Sequence, residues 1–183
     1  MTRFIETEES FDGIFSITKN IIGDNRGYLE RLFCHHELKS WEKRPISQVN
    51  TTFTQKKGSV RGLHFQRPPM DHIKMVYCVQ GQVMDVVVDL RVGSPTYGQH
   101  AVFELSAVKG SCIYIPKGTA HGFCALSENT VMVYKVSTVY SPEYDAGILS
   151  DSLGIAWPTN EPIMSARDRS FPTFTQFESP FQL

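Results

Sequence analysis

The sequence predicts an all-β fold, arranged as a sandwich or a closed barrel. Between Gly58 and about Val139, short runs rich in β-branched and aromatic residues recur every eight to twelve positions, the spacing of strands joined by tight turns. Glycine, proline and asparagine punctuate those runs,. Sustained helical periodicity is absent over the same stretch,.

Taken in order, Lys74 to Val79 and Gln82 to Leu90 flank Gln80-Gly81. Glycine supplies the positive φ that a tight reversal needs, so the two runs are expected to pair as an antiparallel hairpin. In the second run Val83, Asp85, Val87 and Asp89 share one face, opposite Met84, Val86, Val88 and Leu90,. An acid inside such a strand must find a partner. Further strands are expected over 99–105, 111–115, 122–125 and 130–138, with SPTYG at 94–98 and PKG at 116–118 as turns,. Short peripheral helices are expected over about 37–43 and 165–169, and the Pro-rich tail after Trp157 reads as a strap over the core. No internal repeat is visible.

A chain of 183 residues with 41% apolar and 20% charged residues suits one well-packed domain,. Within it, N-terminal strands to about residue 57 precede the barrel core of 58–140, and 141–183 forms the strap. A formal charge of -1 offers no global attraction to nucleic acid or to anionic membrane, so anion binding must come from a local cluster. Neither class of partner is expected. Cys34, Cys78, Cys112 and Cys124 lack CxxC spacing and read as reduced core thiols,. The opening MTRFIETEES carries acids where a targeting peptide would be apolar or Arg-rich, and no apolar run approaches the ~18 residues of a membrane span. A cytoplasmic protein is expected.

The chemistry concentrates around SVRGLHFQ at 59–66. His64 shares its face with Gly62 and Gln66, Arg61 lies close by, and Lys74 follows ten residues later at the head of a strand. An imidazole, a guanidinium and an ammonium together suit a site that binds an anion and moves a proton. A hydrogen-bonded structural histidine and a strand-edge lysine remain open. If Lys74 points inward, Asp85 across the hairpin is its expected counter-ion. His121 follows the PKG turn at the start of a strand, and Tyr134 shares a face with Met132 and Val136. Asp168, three residues after Ser165, reads equally as half of a helix-capping box,. A mononuclear metal site would want paired histidines one residue apart; no HxH occurs and His35-His36 are adjacent, so no metal is expected.

RGLHFQ, the Lys74 run ending GQVMDVVVDLR, SPTYG, YIPKGTAHGF, VYKVSTVYSPE, GIAWP and PIMSARD stand in this order between about Asp24 and Asp168. Together they closely resemble the nucleotide-sugar epimerases of the dTDP-4-dehydrorhamnose 3,5-epimerase family. The resemblance implies a cupin-type jelly-roll barrel and catalysis without metal or organic cofactor. It also implies a homodimer formed by exchange of N-terminal strands, and a role in deoxysugar supply for lipopolysaccharide or another surface polysaccharide.

The residue roles follow from the same resemblance. The base falls on His64, oriented by Asp168; the acid falls on Tyr134; Lys74, Asp85 and His121 complete the centre. A 4-keto sugar has acidic C3 and C5 hydrogens because the ketone can take the charge as an enolate, and an acid and a base on opposite ring faces invert the carbon. Arg26, Arg61 and Arg167 are expected at the diphosphate, Gln48 and Asn50 at sugar or base groups, and Tyr140 stacked on the base. Two departures bear on the nucleotide. Arg31 stands where the dTDP enzymes commonly carry a glutamate, and Asp145 replaces another glutamate. These leave CDP- and GDP-linked sugars open beside dTDP, and C3, C5 or both as the inverted carbons. A 3,4-ketoisomerase and a non-catalytic sugar-nucleotide binder on the same scaffold are the other readings.

Overall fold

The computed structural model describes residues 4–9, 11, 13–41 and 44–183. Among them run β1 (Phe4–Glu8), β2 (Phe15–Lys19), β3 (Ile22–Asp24), β4 (Gly27–Leu29), β5 (Gln48–Thr54), β6 (Val60–Gln66), β7 (Lys74–Gln80), β8 (Gln82–Asp89), β9 (His100–Ser106), β10 (Ser111–Ile115), β11 (Thr119–Ala125), β12 (Thr130–Val136) and β13 (Asp145–Gly147), followed by the single-turn helix α1 (Ala166–Arg169). One sheet has the order β1-β2-β10-β7-β12-β5, the facing sheet the order β13-β6-β11-β8-β9, and β3-β4 form a separate hairpin. The fold is an all-β jelly roll. Among the described residues no helix is long and apolar enough to cross a membrane.

The core lies in three layers because most central strands are apolar on both faces. Between the sheets, Val76 and Cys78 of β7 and Met132 of β12 meet Val83 and Val87 of β8 and Phe123 of β11. Outside the second sheet, Leu63, Phe65, Val86, Val88 and Leu90 pack beneath Phe174, Phe177 and Phe181 of the tail. Outside the first sheet, Met75, Tyr77 and Cys112 pack beneath Leu38 and Trp41. The tail is also tied by backbone: Val92 and the Phe181 carbonyl bond at 3.0 Å, and Leu183 returns to Val92 at 3.1 Å. All four cysteines are free thiols, three of them buried.

The expected hairpin of β7 with β8 does not form. β7 pairs with β10 and β12, whereas β8 pairs with β11 and β9, so the chain turns a corner from one sheet into the other at Gly81. Gly81 has φ +82°, and a Cβ there would approach Thr130 Oγ1 to 2.8 Å. The Gln-Gly signal fixes a reversal but not the sheet into which the chain returns. Val76 of one sheet and Val83 of the other therefore contribute to the same core between the sheets. The expected helix over 37–43 is absent from its described part: Glu37 and Leu38 donate to the Cys34 carbonyl in successive turns, and residues 42 and 43 lie outside the described residues. Pro45 disfavours helical geometry at Arg44, and burying Leu38 and Trp41 against β7 and β10 sets the path.

One irregularity positions the site. β6 pairs with β11 through His121↔His64 and then Phe123↔Arg61, a bulge that adds a residue to one side,. Arg61 and His64, three apart, consequently line the same cleft. Gly62 makes this possible at φ +125°, where a Cβ would lie 2.6 Å from Gly122 Cα and 2.9 Å from the His121 carbonyl oxygen. Gly154 is a natural control, with φ +66° and nothing within 4 Å of the added Cβ. Gly154→Ala is expected to cost about 1 kcal/mol, the backbone term alone. Gly62→Ala should cost roughly 3 kcal/mol or more in denaturant unfolding, because main chain on both strands must move; equal costs at the two positions would contradict the bulge's role.

Candidate active site

A cleft of about 590 Å³ opens between the two sheets, and it is lined by His64, Lys74, His121, Tyr134 and Asp168 together with Gln48, Asn50, Arg61, Tyr140, Asp145 and Arg167. The jelly roll explains the convergence. β6 and β11 bring His64 and His121 from one sheet, while β7, β12 and β5 bring Lys74, Tyr134, Gln48 and Asn50 from the other. The imidazole and the phenol therefore enter the cleft from opposite walls.

His64 Nε2 lies 2.8 Å from Asp168 Oδ1. Asp168 Oδ2 accepts the Gly62 backbone N–H at 3.3 Å, and the Asp168 backbone N–H is capped by Ser165 Oγ at 3.0 Å. The capping reading is thus half right: the serine caps α1, but the carboxylate turns away to the histidine. Burial alone would raise the Asp168 carboxyl. His64, the Gly62 N–H and Ser165 outweigh it and hold the group below the usual carboxylate range. An ionised Asp168 can only accept, so Nε2 of His64 carries a hydrogen toward it,.

Lys74 Nζ donates to the His64 carbonyl at 3.2 Å. Enclosure pushes its ammonium down to about 8, with the charges of Asp85 and Asp145 working against that shift. The direct Lys74–Asp85 pair expected across the hairpin is not formed. Both Asp85 oxygens take His121 Nε2, each at 2.9 Å, because β8 neighbours β11 and lies in the sheet opposite β7. Burial pushes His121 down and Asp85 up. His121 itself lies inside β11, which begins at Thr119, earlier than the expected start at Gly122.

The Tyr134 ring meets His121 edge-on at 6.1 Å between centroids, and its hydroxyl is 3.2 Å from Thr52 Oγ1. Burial raises its phenol well above the ordinary value, so it stays protonated. Elsewhere in the cleft, Asp145 Oδ2 accepts Tyr140 Oη at 3.0 Å and also the Arg167 guanidinium. Gln48 accepts the Tyr140 backbone N–H at 2.8 Å and donates to Asn50 Oδ1 at 2.9 Å. Arg61 is steadied by Thr54 Oγ1 at 3.0 Å.

Arg26 and Arg31 do not join this cleft in their own chain. Arg26 lies at the tip of the β3-β4 hairpin, exposed and paired to Asp24 at 2.6 Å, and Arg31 pairs with Glu37 at 2.7 Å. The hairpin is paired with neither large sheet, and neither arginine is among the residues that line the cleft. Polar lining residues that the sequence reading did not assign to the site include Thr52, Gln66 and His72. Period-two alternation after Gln48 and Asn50 points to Thr52. Gln66 was visible as a neighbour on the His64 face, and His72 lies in irregular chain where periodicity gives no signal.

The family model for dTDP-4-dehydrorhamnose 3,5-epimerase matches residues 8–176. A dTDP-4-dehydrorhamnose 3,5-epimerase of Sinorhizobium fredii is 39% identical over 168 residues, covering 87% of this chain and 84% of the relative. A dTDP-4-dehydrorhamnose 3-epimerase of Streptomyces niveus is 38% identical, covering 86% of this chain and 78% of its own. Among solved structures, a dTDP-6-deoxy-D-glucose-3,5-epimerase of Legionella pneumophila in complex with dTDP-4-keto-L-rhamnose superposes with a TM-score of 0.92 at 31% identity, covering 98% of this chain and 99% of that one. With this cleft and these matches along nearly its whole length, the chain belongs to the dTDP-4-dehydrorhamnose 3,5-epimerase family.

Proposed function

We propose that the cleft epimerises a dTDP-linked 4-keto-6-deoxyhexose. The observation that carries this reading is the placement of an oriented base and a protonated phenol on opposite walls of one cleft. His64 Nδ1 removes the proton from the carbon next to the ketone, and the electron pair moves onto the ketone oxygen as an enolate. Asp168 steadies the imidazolium that results. Lys74 Nζ faces the developing oxyanion in a poorly solvated setting, where such a charge is worth most. Tyr134 Oη then delivers a proton to the other face of the carbon, and solvent returns the two side chains to their starting states. Atoms and charge balance without a cofactor. Asp85 and His121 form the buried pair that Tyr134 packs against.

Arg61 and Arg167 would take the diphosphate, whose charge can displace Asp145 from Arg167. Tyr140 would stack on the base, with Gln48, Asn50 and Asp145 as polar contacts. The relatives' dTDP ligands favour dTDP over CDP or GDP. A homodimer by exchange of N-terminal strands is part of the proposal: Ile22, Tyr28 and Leu29 of the β3-β4 hairpin are exposed, as are Val49 and Phe53 on the edge strand β5. A second copy laid there would cover both and bring Arg26 and Arg31 to the neighbouring cleft. The setting is cytoplasmic deoxysugar synthesis for lipopolysaccharide or another surface polysaccharide.

Supplying dTDP-4-keto-6-deoxyglucose in deuterium oxide and following the sugar by proton NMR tests the activity. Deuterium should enter C3, and C5 as well if both centres are inverted. Relatives of both kinds are known. No incorporation at either carbon sinks the reading. A second expectation concerns pH. Lys74 is charged below about 8 and neutral above it, so kcat/KM should fall as pH rises through that region. Lys74→Met should lower turnover by about 10²–10³ at neutral pH. A profile that stays flat up to the range of an ordinary lysine would remove Lys74 from the oxyanion.

A further inference from the structure

His72 lies two residues before Lys74, in the connection between β6 and β7, and lines the cleft. Its protonation is readable from the hydrogen bonds of buried Gln66. The Gln66 Nε2 donates to the Met70 carbonyl at 2.8 Å and to the Val139 carbonyl at 3.1 Å, while Oε1 accepts the Ser141 backbone N–H at 2.6 Å. Carbonyls only accept and backbone N–H groups only donate, so these main-chain partners fix which end of the amide is which. The atom 3.1 Å from His72 Nδ1 is therefore the amide nitrogen, which has no lone pair to offer. The two amide hydrogens are shared among the Met70 carbonyl, the Val139 carbonyl and Nδ1, and a hydrogen on Nδ1 would face this NH₂ group with only the Met70 carbonyl to meet; the arrangement favours the ring hydrogen on Nε2.

A second proton on this ring would point an N–H at an NH₂ group. Burial and the Lys74 ammonium hold His72 down to about 3, against a smaller opposing pull from the Met70 carbonyl, with His121 and Lys117 reinforcing the depression. The ring is therefore a neutral donor. Among the described residues no acceptor meets Nε2, and the atom is not shut away from open space. With the hydrogen on Nε2, the cleft is lined by a ring N–H that has no hydrogen-bond partner among the described residues, close to the Lys74 charge.

On the nucleotide-sugar reading given above, we infer that His72 is a substrate-contacting residue whose Nε2–H donates to an oxygen of the sugar next to the one that Lys74 holds. A neutral donor suits a hydroxyl or keto oxygen, whereas the guanidinium groups of Arg61 and Arg167 suit the diphosphate. It adds a directed hydrogen bond without a second cation beside Lys74. Gln66 is the positioning residue: one amide fixes the His72 tautomer and, through Val139 and Ser141, the segment that carries Tyr140. Sugar contact and base-stacking residue are thereby held from one buried side chain.

The test compares calorimetric affinities for dTDP and for dTDP-glucose in the wild-type protein, His72→Phe and His72→Gln. His72→Phe should bind dTDP as the wild type does and lose about tenfold in affinity for dTDP-glucose. His72→Gln, which keeps an N–H donor, should recover most of that loss. In ¹⁵N NMR, His72 should show a bare Nδ1 and a protonated Nε2, unchanged between about pH 5 and 8. Equal losses for the two ligands would assign His72 to folding and overturn the inference. So would an unaffected His72→Phe, a protonated Nδ1, or a wild-type protein that binds dTDP-glucose no more tightly than dTDP. The binding contrast needs no turnover, so a wild-type protein that fails to exchange deuterium but shows this contrast would lose the epimerase reading and keep the contact.

Discussion

The hydrogen bond between His64 and Asp168 joins the middle of the chain to its C-terminal tail, 104 positions apart, and much of the cleft is arranged around it. On the His64 side it requires the Gly62 bulge, which turns Arg61 and His64 into the same space and leaves the Gly62 N–H free to meet the carboxylate. On the Asp168 side it requires Ser165 to start α1 at the right place, and an anchored tail. Burying a carboxylate is costly unless donors surround it. The imidazole and backbone N–H donors repay that cost here and keep the acid ionised. The same arrangement puts a hydrogen on His64 Nε2, toward the carboxylate,. Attachment of the tail and orientation of the imidazole rest on one interaction.

The sandwich supplies the second requirement. Inversion at carbon needs a proton taken from one face and returned to the other, and two packed sheets present two walls by construction. His64 belongs to one wall and Tyr134 to the other. The buried groups divide the remaining work by charge. Lys74 is a cation depressed by enclosure, and Asp85 is compensated by His121 rather than by Lys74. Because the carboxylate is taken up elsewhere, a backbone carbonyl is the one hydrogen-bond partner of the ammonium among the described residues. A group in that condition is available to a developing oxyanion.

Strand existence and facing were legible in the sequence because alternation is local. The split of β8 into Val83, Asp85, Val87 on one side and Met84, Val86, Val88, Leu90 on the other is the division between inner and outer cores. Sheet membership was not legible, since Gln80-Gly81 encodes a reversal and says nothing of which edge receives the returning strand. The wrong partner for Asp85 follows from that one ambiguity. His64, Lys74, Tyr134 and Asp168 came from a resemblance across several motifs, while their distances belong to tertiary structure. Arg26 was assigned to the diphosphate by resemblance and Arg31 noted at the position of a family glutamate, and neither lines the cleft of this chain. The hub at Gln66 could not be read in advance, because it joins main-chain atoms from positions 70, 139 and 141.

The most direct measurement is the rate of solvent deuterium entry into the sugar for Asp168→Asn beside the wild type, with dTDP affinity measured on the same samples. An amide in place of the carboxylate keeps the shape but no longer fixes the His64 tautomer or stabilises its imidazolium. The account predicts a loss of about 10²–10⁴ in exchange rate with dTDP binding retained. Exchange at the wild-type rate would contradict it and return Asp168 to the capping of α1.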